Sequence, residues 1–205
     1  MYKTYAATAH FGYLDIKRYV GVEHDDVTIA HRLDGYSCRN AKSPKCTVGF
    51  EISFEEVDMV ADCQELVGYV LARVKTTVEE KLGFHVERCE VSVSYTFHQT
   101  QRLALLAACK DVGFVNVRFL SDCLCARIAF DVLFKKLLHP RNVLIFDFGS
   151  YKCESSVVTV GGKIYQVKSM SGLDSVGGVD VDNLIAKRFE QNFLQQNKKK
   201  KLLKA

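Results

Sequence analysis

The sequence predicts an α/β fold, a sheet with helices packed on its faces. Three observations carry this. Strand-like and helix-like segments alternate over residues 48–195. The run 143–146 is short, continuous and apolar, as expected of a strand covered on both faces. Two short β segments meet at Gly161-Gly162, and Gly177-Gly178 then opens a last helix.

Residues 1–50 mix charges with turn-formers, and Gly, Ser, Asn and Pro cluster over 34–44, so irregular structure with short strands is expected there. Residues 48–54 read as a strand. Ser53 and Glu56 have the spacing of a capping box, in which each side chain satisfies a free backbone N–H. Val57, Val60, Val67, Leu71, Val74 and Val78 then recur at steps of three and four, which predicts one long helix ending at Gly83. Residues 89–95 alternate and predict a strand. Residues 100–112 predict a helix closed by Gly113. A strand at 115–120 and a helix at 122–138, stopped before Pro140, follow. Strands at 155–160 and 163–168 form the hairpin, and a helix covers 179–195.

Hydrophobic residues make up 48% and charged residues 25%, the balance of a globular protein. No run of about 18 apolar residues is present, so no membrane partner is expected. The N-terminus MYKTYAATAHFG has no apolar core of a secretory signal. The eight cysteines include no C-x-x-C pair. They predict reduced thiols and a cytoplasmic (alternatively nuclear) protein rather than a zinc site at Cys38 and Cys46. The net charge of +4 owes much to Lys198–Lys201, which reads as a solvated helix end, so a nucleic-acid partner is not expected. Gly161-Gly162-Lys163 is not a phosphate loop, because Ile164 stands where Ser or Thr is needed. Asp180-Val181-Asp182 lacks the glycine and later glutamate of a calcium loop.

Five ordered segments resemble the Hsp70 family. They are Leu14-Asp15-Ile16-Lys17-Arg18-Tyr19-Val20-Gly21, then Val91-Ser92-Val93-Ser94-Tyr95-Thr96-Phe97 with Thr100-Gln101-Arg102, then 108–120, 142–149 and 169–182. The resemblance implies a partial actin-like ATPase (ribonuclease H-like) fold, the back of its first half joined to the front of its second. Residues 1–139 are then expected to be a partial first lobe and 140–197 a partial second lobe with a phosphate-hairpin-like segment. Residues 198–205 are a basic tail. The family's first phosphate hairpin, adenosine subdomain and peptide-binding domain have no counterpart in these residues.

The resemblance also implies site residues and cofactors. ATP or ADP with Mg²⁺ is the family's ligand. Asp147, Glu154 and Asp122 fall at its catalytic carboxylate positions, with Asp147 on the metal. Gly149, Ser150, Lys152, Gly177 and Gly178 fall at its phosphate contacts. The family's glycines and threonine after Gly149 are here Ser150, Tyr151 and Lys152. Side chains forced to positive φ there would cost roughly 1–2 kcal/mol each, and Lys152 is expected to face solvent. Ser94 replaces a proline and Arg127 an alanine of the family pattern. Lys3 is one residue out of register with a family lysine and receives no role.

The implied function is that of an Hsp70-like protein related to ATP-dependent chaperones of protein folding and the stress response. ATP handling is expected to be degraded, so catalysis by this chain alone is left undecided. The expected role is chaperone-associated binding, with cochaperones or unfolded-protein machinery as partners. An ATP-binding chaperone seen as an incomplete gene product, and an interaction module keeping only the fold, remain alternatives. An open edge at strand 89–95 predicts self-association.

Overall fold

The computed structural model describes residues 16–25, 40–54, 57–134, 140–161 and 164–197. Lys3, Cys38, Glu56, the hairpin tip at Gly162-Lys163, the expected helix end at 135–138 and the basic tail lie outside them. The chain divides into two compact units, residues 1–91 with 97–118 and residues 92–96 with 119–205.

In the first unit a helical turn, α1 (Ile16–Tyr19), precedes strands β1 (Asn40–Lys42), β2 (Val48–Phe54) and β3 (Val57–Asp62). These strands form an antiparallel sheet in the order β1-β2-β3. Helix α2 (Cys63–Leu82) follows directly. Tyr19, Val48, Phe50, Ala61, Cys63 and Leu66 form the core, with the Tyr19 ring edge-on to Phe50.

The expected helix start at Ser53 and Glu56 is corrected: residues 57–62 are a strand, and the helix begins nine positions later than the capping box implied. The true cap is Asp62. Its carboxylate accepts from the Gln64 N–H at 2.7 Å, and the Glu65 carboxylate accepts from the Asp62 N–H at 3.2 Å. Thr47 also donates to Asp62. Gly83 closes α2 in the left-handed conformation at φ 74°, as expected of a C-terminal glycine. Burial on α2 is confined to Cys63, Leu66 and Val67, whereas Val74 and Val78 are exposed.

Strands β4 (Arg88–Val93) and β5 (Asn116–Ser121) pair in a two-stranded sheet, and the division between units falls within both. Helix α3 (Gln99–Asp111) belongs to the first unit and buries Leu105, Ala108 and Cys109. The Gln101 carboxamide accepts from the His98 N–H and donates to the Arg18 carbonyl, tying α3 to α1. Lys75 on α2 donates to the carbonyls of Val112 and Gly113 at the end of α3.

The second unit packs helix α4 (Asp122–Phe134) on an antiparallel sheet of β6 (Arg141–Phe148), β7 (Cys153–Gly161) and β8 (Ile164–Leu173), in that order. Helix α5 (Gly178–Gln196) follows. β7 alternates along its length, with Glu154, Ser156, Val158 and Val160 buried. The expectation that β6 is covered on both faces is corrected: Leu144 is 70% and Phe146 is 66% exposed. An antiparallel sheet packed on one face leaves alternate residues outside, however apolar the run. Within α4, Arg127 and Asp131 form a buried pair at 2.6 Å, one turn apart.

Candidate functional site

The hairpin of β6 and β7 sets the site. Its register places Asp147 opposite Glu154, and the Gly149 N–H closes the four-residue loop on the Lys152 carbonyl at 2.9 Å. Cross-strand partners share one face, and α4 packs against these two strands. Asp122 opens α4, where the positive helix end favours a carboxylate. The Ser121 hydroxyl accepts from the Leu124 N–H and caps the same turn.

Lys152 reaches into this space. Its ammonium donates to Asp122 and, at 3.0 Å, to Glu154, and stands 3.9 Å from Asp147. The side chain is 25% exposed, so the expected solvent-facing lysine is corrected to a half-buried ion-pair centre. The long stem carries the charge past the loop to the carboxylates. Burial opposes that charge, but hydrogen bonds and attraction from Asp122 and Glu154 outweigh it and raise the Lys152 pKa above its ordinary value.

Glu154 is 1% exposed. Besides Lys152 it accepts from the Ser94 hydroxyl and from the Tyr95 N–H at 2.8 Å. Ser94 and Tyr95 are contacts of this cluster that sequence reading missed. Their signal was present, because Ser94 stands where the resemblance expects a proline, and a hydroxyl there can serve a buried carboxylate.

Gly177 and Gly178 also meet the loop, but as its partners. The Gly178 N–H donates to the Gly149 carbonyl at 2.9 Å and the Val179 N–H to the Ser150 carbonyl at 2.8 Å. The Asp180 carboxylate accepts from the Gly177 N–H at 2.8 Å. Asp180 was also missed; its spacing three after Gly177 is that of a helix-start acceptor. A Cβ at Gly177 would lie 2.4 Å from the Ser150 carbonyl oxygen, so glycine is required there for close approach. The expected strain at Ser150, Tyr151 and Lys152 is absent, since none of them has positive φ. Asp122, Asp147, Lys152 and Glu154 therefore form one cluster, and Gly149, Ser150, Gly177 and Gly178 a backbone contact.

Neither implied ligand fits these residues. Free N–H groups at a helix start bind anions, but here the first amides of α5 donate to the chain's own oxygens. A Mg²⁺ shared by these carboxylates would crowd the Lys152 ammonium. At a separation of 4 Å and an effective dielectric of 20, that repulsion is about 8 kcal/mol. Among the described residues no three His, Cys, Asp or Glu side chains are grouped to hold a metal ion. A cleft of about 520 Å³ lies elsewhere, along Arg88–Glu90 and Asn116–Arg118.

A model of the family described as Hsp70 protein matches residues 5–204. The chain is 31% identical over 186 residues to a heat shock 70 kDa protein of Trichophyton rubrum, covering 90% of this chain and 28% of that protein. It is 34% identical over 149 residues to a heat shock 70 kDa protein of Neurospora crassa, covering 73% and 23%. It is 29% identical over 179 residues to a ribosome-associated molecular chaperone of Saccharomyces cerevisiae, covering 87% and 29%. The chain thus spans less than a third of the length of these relatives. Its mixed α/β architecture is that of a partial actin-like ATPase domain, and with the match running over nearly all its length, the chain belongs to the Hsp70 family.

Proposed function

We propose that this chain serves chaperone-associated binding and does not turn over ATP. One observation carries the reading: the N–H groups of Gly177 and Gly178, which the family resemblance places at phosphate contacts, are spent on the Asp180 carboxylate and the Gly149 carbonyl. Phosphoryl transfer is chiefly positioning and charge stabilisation. A helix start whose donors face the chain's own oxygens offers little of either. The partners are unfolded chains or cochaperones of the kind the Hsp70 family engages. The free thiols of Cys46, Cys63, Cys89, Cys109, Cys123 and Cys153 agree with a reducing, cytoplasmic setting.

The test is calorimetric titration of ATP and ADP with Mg²⁺ into the purified chain, with phosphate release and suppression of client aggregation followed in parallel. The expected result is neither low-micromolar nucleotide binding nor turnover, with aggregation of an unfolded client reduced. Turnover that disappears in Asp147→Ala would overturn the reading. The short span relative to the full-length relatives favours a second one, in which further segments of a longer product complete a nucleotide site. Transcript sequencing beyond both ends separates the two.

A further inference from the structure

We propose that the Lys152 ammonium is a built-in cation that takes the place of a metal ion among Asp122, Asp147 and Glu154. The geometry is that of an ion-pair centre. One positive atom stands within 4.0 Å of a carboxylate oxygen from each of three side chains, contributed by α4, β6 and β7. Glu154 cannot turn away, because Ser94 and Tyr95 hold its other oxygen. Asp122 is fixed at the first turn of α4. The loop is fixed too, through Gly149 and Ser150 on α5.

A soluble ion and a tethered ammonium differ in what they require. The ion comes and goes with its concentration, and its binding couples to whatever ligand shares it. The ammonium arrives with the chain and holds α4 to the hairpin at all metal concentrations. Lys152 also balances charge within the cluster. Three negative groups this close would repel one another, and the lysine offsets part of that charge. The consequence is metal independence: the cluster is a structural tie between helix and hairpin, and its three carboxylates, not grouped to hold a metal ion around the lysine, can close on a cation only when the lysine is removed. This does not depend on the proposed function, since a chain without turnover could still hold Mg²⁺ at Asp147.

The test uses the whole chain, stripped with EDTA, and Mn²⁺ alone as probe, read by electron paramagnetic resonance. Wild type is expected to show no saturable Mn²⁺ site, and its melting temperature is expected to be the same in Mg²⁺ and in EDTA. Lys152→Met is expected to gain one Mn²⁺ per chain, and Lys152→Met with Asp147→Asn to bind it roughly tenfold or more weakly. A wild-type Mn²⁺ site that Asp147→Asn weakens overturns the inference, as does a folded Lys152→Met that gains none. If Lys152→Met folds only with Mn²⁺ present, the metal has replaced the lysine and the inference stands. If it folds under neither condition, the wild-type titration decides alone. Wild-type Mn²⁺ binding with no ATP turnover would sink this inference and leave the proposed function intact.

Discussion

The Arg127 and Asp131 pair concentrates the risk in α4. Both side chains are nearly sealed from water. Removing one partner of a buried pair leaves an uncompensated charge and costs about 3–5 kcal/mol. Asp131→Ala is therefore expected to lower unfolding free energy by about that amount, read from urea denaturation. Ser94→Ala removes one hydroxyl from Glu154 while the Tyr95 N–H and Lys152 remain. A loss of about 1–2 kcal/mol is expected in the same assay. These residues differ in how far the sequence exposed them. Asp147, Glu154 and Asp122 could be picked out because carboxylates at a strand end, a strand start and a helix start match the family pattern. The orientation of Lys152 could not, because a lysine in a turn is ordinarily solvated, and three carboxylates contributed by three elements attract it only after folding. Arg127 was visible as an intrusion in an apolar helix, but its partner four residues on carried no comparable signal.

At the scale of elements, the start of α2 shows why periodicity alone misleads. Val57 and Val60 fit a helical step, yet they lie in a strand whose register against β2 runs from Gly49 opposite Asp62 to Phe54 opposite Val57. Pairing with a neighbouring strand overrides a three-residue match, and the cap moves to Asp62. Asp62→Ala is expected to cost about 1 kcal/mol or more, since that carboxylate serves both the helix and Thr47. The junction of loop and α5 gives a sharper contrast. Gly177→Ala drives a methyl against the Ser150 carbonyl. Hydrogen exchange at Gly178 and Val179 is expected to accelerate, with a stability loss of about 1–3 kcal/mol. Gly149→Ala meets nothing nearer than 3.8 Å and is expected to leave those amides protected. The helices and strands after Gly83 were legible to within a few residues because glycines and a proline mark their ends. The exposure of β6 was not, because a continuous apolar run looks the same whether one face or two are covered.

At the scale of the whole molecule, groups whose pKa values are raised by folding set the alkaline limit, Cys63, Cys109 and Lys152 among them. Burial pushes the Cys63 and Cys109 thiols up to about 12, from 9.0. Unfolding releases them to ionise at the ordinary value, so stability falls as pH rises above 9.0. Lys152 acts in the same direction. Its raised pKa contributes stability that is complete below the ordinary lysine value of 10.5 and is lost as pH climbs through the folded-state value. The urea midpoint is therefore expected to decline steadily from about pH 9 upward; a flat profile to about pH 11 would contradict it. Alkylation followed by mass spectrometry gives an independent reading: exposed Cys46 is expected to react quickly, and Cys63 and Cys109 only when the fold opens. The union of the Gly149–Ser150 turn with the head of α5 has a wider bearing. Two backbone hydrogen bonds latch the turn to the first residues of the helix, so the pair is expected to travel as one rigid piece, and a push on either is expected to be felt by the other.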